Sequence, residues 1–273
     1  MAVFQAGNAG ARGVIKDQHP ALLSSNAWTY ADGFRFESDA AELTGGATPL
    51  FTGEGLKHVL PVGTGADSRY LTWGEQGVVA YDAVGESEVL MPAEALPAPG
   101  VNECTSLVFG GLPLLNIVGH MPLQWARAPV GRLKPLPKWP PNQTCGSLRC
   151  NHNYLIALNL RKGDEASPYT VMWSNLARPG RAPDWAVQDP ASDAGSVALS
   201  EGQDAVVDGL TLGEQFFVYK SHSTWQMDWV GGEWIFHFRR SFSNLARMFH
   251  PFLNLAGDMA KLGWFALTGN QTS

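Results

Sequence analysis

The chain has 273 residues, 45% of them hydrophobic and 16% charged, which is the composition of a globular protein and excludes a disordered tail. The formal charge of -6 at pH 7 argues against a protein that grips nucleic acid, because phosphate neutralisation requires a concentrated basic surface. Three cysteines are too few for a disulfide scaffold and fit folding in a reducing cytoplasm. We expect neither a secretory signal nor a membrane span, since no run approaches the roughly 18 apolar residues that a span needs.

Glycine and proline, at 30 and 18 residues, are spread along the chain, which favours short strands joined by turns over long helices. Residues 1–25 are rich in small residues and lack periodicity, so we expect an extended N-terminal arm there. Residues 26–273 are expected to form one β domain. An ordered loop is predicted within it at about residues 177–195, where prolines are frequent.

Hairpin patterns begin directly after the predicted arm. Trp28 and Phe34 belong to alternating apolar segments on either side of Asp32-Gly33, a dipeptide typical of tight hairpin turns. Residues 57–62 predict a further strand, and the next hairpin is predicted around a turn at residues 74–77.

The same unit recurs towards the C-terminus, around a glycine turn at residues 110–111 and a polar turn at residues 161–165. Successive units begin 42, 42, 62 and 48 residues apart, at Tyr70, Leu112, Tyr154, Phe216 and Trp264. A period of about 40–50 residues made of short strands is typical of β-propeller blades, each covering its neighbour's apolar face. We therefore expect an all-β fold with a β-propeller-like arrangement of short antiparallel meanders, which the C-terminus could leave incomplete. A sandwich or barrel is the alternative.

The segment 216–242 carries the clearest strand pattern. Trp225 and Trp229 alternate with polar residues, which predicts a half-buried strand. A glycine turn at residues 230–233 and a strand before the alternating segment complete a three-stranded antiparallel meander with an aromatic face. Because aromatic side chains bury about 150–250 Å² each, this face requires a covering sheet or another chain. A short helix is predicted directly after it, over residues 242–249.

No established catalytic or phosphate-binding motif is present, and we expect neither catalysis nor a cofactor. Cys145, Cys150 and His152 form the one cluster with metal-like spacing, but no second Cys/His pair follows it. A loop with small, buried cysteines is the favoured interpretation, and no metal site is assigned. The carboxylates between residues 164 and 208 are scattered, which favours solvated loop acids over a glycosidase pair.

Ten tryptophans exceed what one modest core needs, and aromatic residues are enriched at permanent protein interfaces. The candidate interface residues are Trp28, Phe34, Trp185, Trp225 and Trp229. A core position is the competing interpretation for each of them, since large aromatic side chains are mostly buried.

Six segments resemble tail nozzle or hub proteins of short-tailed bacteriophages, and they occur in the family's order over about residues 20–245. They are NAWTYADGFRFESDAAELTGG, VFGGLPLLN, NYLIALNL, VMWSNLARPGRAPDW, VVDGL and FFVYKSHSTWQMDWVGGEWIFHFRRSFS. None of them is a catalytic motif, so the resemblance concerns architecture and assembly. After Phe242 the chain departs from the family pattern.

The resemblance implies a structural virion protein, assembled in the host bacterial cytoplasm and located in the viral tail. Its copies would form a ring, usually of six, below the portal and its adaptor protein, and would contact tail fibre or spike proteins. The ring would form the channel for DNA ejection and retain the packaged genome. DNA would pass through the lumen without specific binding, and no membrane would be involved.

Two other functions remain open on the sequence. One is a tail-associated glycan-binding or depolymerase module, in which a groove of tryptophans and paired acids acts on sugars. The other is an adaptor for receptor-binding spikes that uses residues 177–195 as the docking site.

Overall fold

The chain folds into two compact units, Met1–Leu50 and Phe51–Ser273. Its described part contains strands and two short 3-10 helices but no α-helix, so the predicted all-β class is confirmed. None of the helical segments in that part has the length or apolar character that a membrane-spanning helix requires. The computed structural model describes residues 12–24, 26–32, 34–37, 40–43, 55–63, 68–100, 103–126, 131–178, 180–187, 189, 191–202, 204–232 and 235–243.

The N-terminal unit contains one hairpin, in which β1 (Phe34–Glu37) pairs antiparallel with β2 (Ala40–Leu43). Before the hairpin, Val14 forms a parallel bridge with Trp28, supported by backbone hydrogen bonds of 2.9 Å on either side of it. The predicted arm is therefore tied to the chain that follows it from residue 12 onward, and residues 1–11 lie outside the described residues.

The hairpin predicted around Asp32-Gly33 is wrong. The strand that begins at Phe34 pairs with the strand after it, in a register that places Glu37 opposite Ala40. The segment before the dipeptide pairs elsewhere, because Trp28 bonds to the arm. A turn dipeptide shows where the chain can reverse, but partners farther along the chain decide which strands pair.

The larger unit consists of four four-stranded antiparallel sheets, each a meander in which consecutive strands pair. Sheet 1 contains β3 (Leu56–Val62), β4 (Arg69–Gly74), β5 (Gly77–Asp82) and β6 (Ser87–Met91). Sheet 2 contains β7 (Cys104–Phe109), β8 (Leu112–Ile117), β9 (Leu123–Gln124) and β10 (Lys134–Pro135). Sheet 3 contains β11 (Gln143–Asn151), β12 (Tyr154–Lys162), β13 (Glu165–Trp173) and β14 (Gly195–Ala198). Sheet 4 contains β15 (Val206–Leu212), β16 (Gln215–Lys220), β17 (Ser223–Trp229) and β18 (Phe236–Ser243).

Three hydrophobic clusters join these sheets in series. The first contains Trp73 of sheet 1 and Trp125, which directly follows β9 of sheet 2, and the second packs Leu114 of sheet 2 against Leu155 of sheet 3. The third packs sheet 3 against sheet 4 around Phe216. The first strands β3, β7, β11 and β15 contact one another in this order. Stacked meanders with adjacent first strands are the predicted propeller-like arrangement, which is confirmed.

Strand β8 shows how one sheet binds two neighbours. All six of its residues are buried. Leu115 and Ile117 enter the first cluster, whereas Leu112 and Leu114 enter the second. Successive side chains of a strand point to opposite faces, so an uninterrupted apolar run places a core on each face of the sheet. Strand β12 repeats the arrangement between the second and third clusters.

Two further interpretations of the sequence are corrected. The segment from Cys145 to Cys150, interpreted as a loop, lies in β11, where it pairs with β12 over its length. Its glycine, serine and cysteines are weak strand signals, and pairing with β12 overrides them. Strand β17, predicted to be half-buried, also buries its polar side: Thr224 and Gln226 are each only 4% exposed.

The predicted helix at residues 242–249 lies outside the described residues from residue 244 onward, and so does the last predicted unit at Trp264.

Replacing Phe216 by Ala is expected to lower the free energy of unfolding by about 3–5 kcal/mol, because the ring is fully buried in the third cluster. The packing there is close: a Cβ added at Gly209 would lie 2.6 Å from the Phe216 Cζ atom. Denaturant unfolding followed by circular dichroism measures the change. Leu212→Ala, at a residue of the same sheet that is 51% exposed, is the control and should cost less than about 0.5 kcal/mol. Equal losses of unfolding free energy in the two variants would contradict the burial of Phe216 in the third cluster.

Candidate functional site

The five predicted interface residues lie in different environments. Trp28 is half-buried and packs edge-on against Phe34, with ring centroids 5.1 Å apart, and Phe34 is 37% exposed. Trp185 and Trp225 are buried inside the chain, at 1% and 8% exposure, so their side chains serve the second and third clusters instead of an outer surface. Trp229 is 55% exposed.

Trp229 is the last residue of β17 and lies beside the hairpin turn of sheet 4. Val230 beside it is 54% exposed, and the ring of exposed His152 lies 6.3 Å from the indole, centroid to centroid. We call these three side chains, Trp229, Val230 and His152, the Trp229 surface.

The Trp229 indole has a fixed orientation. Its six-membered ring covers Gly231, where an added Cβ would approach the ring to 3.3 Å and φ is +66°, so both space and backbone conformation favour glycine. The Tyr154 hydroxyl lies close to the Trp229 indole and donates to the Asp193 Oδ2 atom at 3.2 Å. Burial, followed by the charge of Asp193, raises the pKa of Tyr154. An exposed indole held in this way can bind a partner without losing much side-chain entropy.

Polar contacts join the first strands of successive sheets. His58 Nε2 lies 2.6 Å from Ser106 Oγ and joins β3 to β7, and Thr105 Oγ1 accepts a 3.1 Å hydrogen bond from the Leu148 N–H and joins β7 to β11. Burial, followed by the charge of Arg149, lowers the pKa of His58, so the imidazole is neutral at physiological pH.

Arg149 continues these contacts between β11 and β15. Its Nε and Nη2 atoms donate to the two carboxylate oxygens of Asp208 at 2.8 and 2.6 Å, which is bidentate geometry. The Asp208 side chain is 2% exposed. Polar contacts therefore link the first strands of all four sheets, through His58, Ser106, Thr105, Arg149 and Asp208.

A second buried ion pair holds the loop before sheet 4. Lys220 is completely buried, and its Nζ atom lies 2.7 Å from Asp204 Oδ1 and donates to the carbonyl oxygens of Leu199 and Glu201 at 2.6 and 3.0 Å. Burial opposes ionisation of Asp204, but hydrogen bonds from Lys220, the His222 N–H and the Ser223 hydroxyl together hold its pKa below the usual value. The ammonium group therefore has a counter-ion and two carbonyl acceptors, which meet the main needs of a buried lysine.

The cysteines behave as buried apolar groups in the described part of the chain, where no three potential ligands converge on a metal site. Cys145 donates to Asn116 Oδ1 at 3.1 Å, and burial raises the pKa of both Cys145 and Cys104. Cys150 is half-buried, and burial again raises the pKa of its thiol. Thiols of this kind are poor nucleophiles.

Six of the scattered carboxylates have structural partners in the described chain, and two of these are Glu201, which lies 3.4 Å from Arg240 Nη1, and Asp189, which accepts from the Ala191 N–H at 3.0 Å. Asp204 and Asp208 hold Lys220 and Arg149, Asp193 accepts from Tyr154, and Asp184 Oδ2 lies 3.0 Å from Lys138 Nζ. Sequence reasoning missed both buried ion pairs. The only signal was Lys220 at the end of an otherwise apolar strand, since Arg149 and Asp208 are 59 residues apart.

Neither a scan against protein-family models nor a search of curated proteins finds a match to this chain.

Asp204→Asn should lower the free energy of unfolding by about 3–5 kcal/mol, because it leaves the Lys220 ammonium buried without its counter-ion. The depressed pKa of Asp204 also fixes the pH dependence: its contribution is complete above the unfolded pKa of about 3.9 and is lost as the pH falls through the lower folded value. Between pH 6 and pH 3 the free energy of unfolding should therefore fall less in the variant than in the wild type, as denaturant titrations at each pH will measure. An equal fall in both proteins would contradict Asp204 as a source of the pH dependence.

His58→Gln should remove part of the stability change between pH 7.5 and 5.5. Because the folded pKa of His58 lies below the unfolded value of about 6.5, its contribution is complete above that value and is lost as the pH falls through the window below it. The slope cannot exceed one proton, about 1.4 kcal/mol per pH unit. His237→Gln, at an exposed histidine of β18, is the matched control and should retain the wild-type slope. Identical slopes in all three proteins would exclude His58 as the source.

Proposed function

We propose that this chain is a structural virion protein, one subunit of a tail nozzle or hub ring that forms the DNA ejection channel and retains the packaged genome. The observation that carries the proposal is the Trp229 surface, because a large and exposed indole next to Val230 has the composition of an interface centre. The surface belongs in part to sheet 4, which contains the longest of the six segments that resemble tail nozzle proteins.

The use of the polar groups supports an assembly role over a chemical one. The arginine, lysine and aspartate side chains of the two buried ion pairs fix one strand or loop to the next through hydrogen bonds within the chain. Groups engaged in this way stabilise a rigid body and are less available to bind a reacting molecule.

The geometry of the sheets suits a channel wall. Sheets stacked in series behave as one stiff body, and copies of such a body joined through the same pair of surfaces close into a ring. The net charge of -6 per copy would keep DNA from adhering to the lumen, because like charges repel. Neighbours in the particle would be the portal adaptor on one side and tail fibres or spikes on the other.

Removing the apolar side chains at the centre of the Trp229 surface should dissociate the ring while leaving the fold intact. We expect Trp229→Ser with Val230→Ser to weaken self-association at least tenfold, since a central buried tryptophan is commonly worth 2 kcal/mol or more at an interface. Sedimentation velocity over a concentration series measures the association. Because both residues are more than half exposed in the single chain, the thermal midpoint should stay within a few degrees of wild type.

Leu212→Ser is the matched control, at another exposed apolar residue of sheet 4 that lies outside the Trp229 surface. It should associate as the wild type does. A ring that persists in the double variant would show that the Trp229 surface is not the interface.

Particles that lack the chain but remain full of DNA and infectious would contradict the proposed role in the tail.

A further inference from the structure

A groove of about 650 Å³ lies on sheet 3, beside the loop that contains Trp185. Its walls combine two kinds of group. Pro140, Pro141 and Met172 contribute apolar surface, while Lys138 and Lys162 contribute two ammonium groups. The volume is that of a small-molecule site and is far larger than a single inorganic anion requires.

A hydrogen-bond donor in the groove wall lacks a good acceptor. Gln143 is more than nine-tenths buried, and its amide nitrogen donates to the thioether sulfur of Met172 at 3.4 Å, which is a weak acceptor. Buried donors are almost always well paired, so a weakly paired donor such as the Gln143 amide in the groove wall favours a ligand rich in acceptors.

An unpaired cation in the groove points in the same direction. Lys162 is exposed and makes no ion pair within the described residues, whereas Lys138 pairs with Asp184 and keeps 64% of its side chain exposed. Asp189 also lines the groove, so Lys162 is the cation there that a ligand carboxylate can bind without displacing a protein partner. A ligand with one or a few negative charges would be favoured over a neutral one, because charge-assisted hydrogen bonds are the stronger kind.

A saccharide fits a groove that has apolar walls and a hydrogen-bond donor in need of an acceptor. A pyranose ring presents C–H groups that can pack on proline and methionine, and hydroxyl oxygens that can accept from Gln143 or bond to Ser196, which also lines the groove. A nucleotide would need an aromatic surface for base stacking, and Trp185 is only 1% exposed.

We propose that this groove binds a short acidic saccharide, with a uronate-type carboxylate beside Lys162 and Lys138 and hydroxyl groups beside Gln143 and Ser196. The inference goes beyond the structural role and does not depend on it, because every residue it uses lies in one copy of the chain. The groove is open to solvent, so the dissociation constant is expected to be about 1 mM for a tetrasaccharide.

The test is isothermal titration calorimetry of the full chain with tetragalacturonate as the acidic probe and maltotetraose as the neutral one. Wild-type protein should bind tetragalacturonate and show no heat with maltotetraose. Lys162→Gln should weaken tetragalacturonate binding about tenfold, and Lys162→Glu should abolish it. Lys134→Gln, at an exposed lysine of β10 that does not line the groove, is the matched control and should bind as the wild type does.

The proposal is overturned if tetragalacturonate gives no heat, or if Lys162→Glu and Lys134→Gln bind it equally. Inorganic phosphate and citrate are titrated in parallel: binding as tight as that of tetragalacturonate would reveal a general anion site and would overturn the saccharide assignment. Thermal unfolding of each variant shows whether the fold is intact, which is expected because Lys162 is exposed at the end of β12. The oligomeric state recorded in the same samples separates this result from the assembly proposal.

Discussion

The burial of both faces of the two middle sheets is the constraint on which the rest of the larger unit depends. In β8, Leu112 and Leu114 face one cluster while Leu115 and Ile117 face the other. All six residues of this strand are buried, so neither of its faces is exposed to solvent. A sheet of this kind is stable only between two neighbours, because either exposed face would leave several large aliphatic groups in water. The chain meets this requirement by adding meander after meander, which is why four sheets in series form one compact unit.

Polar contacts then determine how the sheets are aligned. Apolar packing tolerates sliding, whereas the bidentate pair of Arg149 with Asp208 can form in one register of β11 against β15 only. Lys220 fixes the loop before sheet 4 in the same way, through Asp204 and two carbonyl oxygens. Buried pairs add little net stability over apolar residues, but each excludes alternative alignments that would leave a charge unpaired. The result is a unit whose surfaces are held in fixed positions, which the proposed role in a channel wall would require.

The sequence was sufficient for the local pattern and insufficient for the long-range contacts. Glycine turns at residues 74–77 and 110–111 and the alternation of Trp225 with its neighbours predicted strands and hairpins that the structure contains, because these signals depend on a few adjacent residues. The choice between buried and exposed tryptophan was not predictable. Trp185 lies in a proline-rich loop that folds back into the second cluster, while Trp229 ends a strand at a hairpin turn, and the difference arises from contacts with distant residues. Strand β11 was missed for the same reason. Its small residues are weak strand formers, and they form a strand because they pair with β12 and contact β7 and β15.

The stiff series of sheets and the exposed indole together support the proposed assembly, and the proposed saccharide groove is a separate property of each copy. The assembly depends on self-association into a closed ring, which electron microscopy of the purified full chain can observe. We expect ring-shaped particles of uniform copy number around a central channel wide enough for duplex DNA. Single copies at every concentration, or open filaments without a channel, would contradict ring assembly.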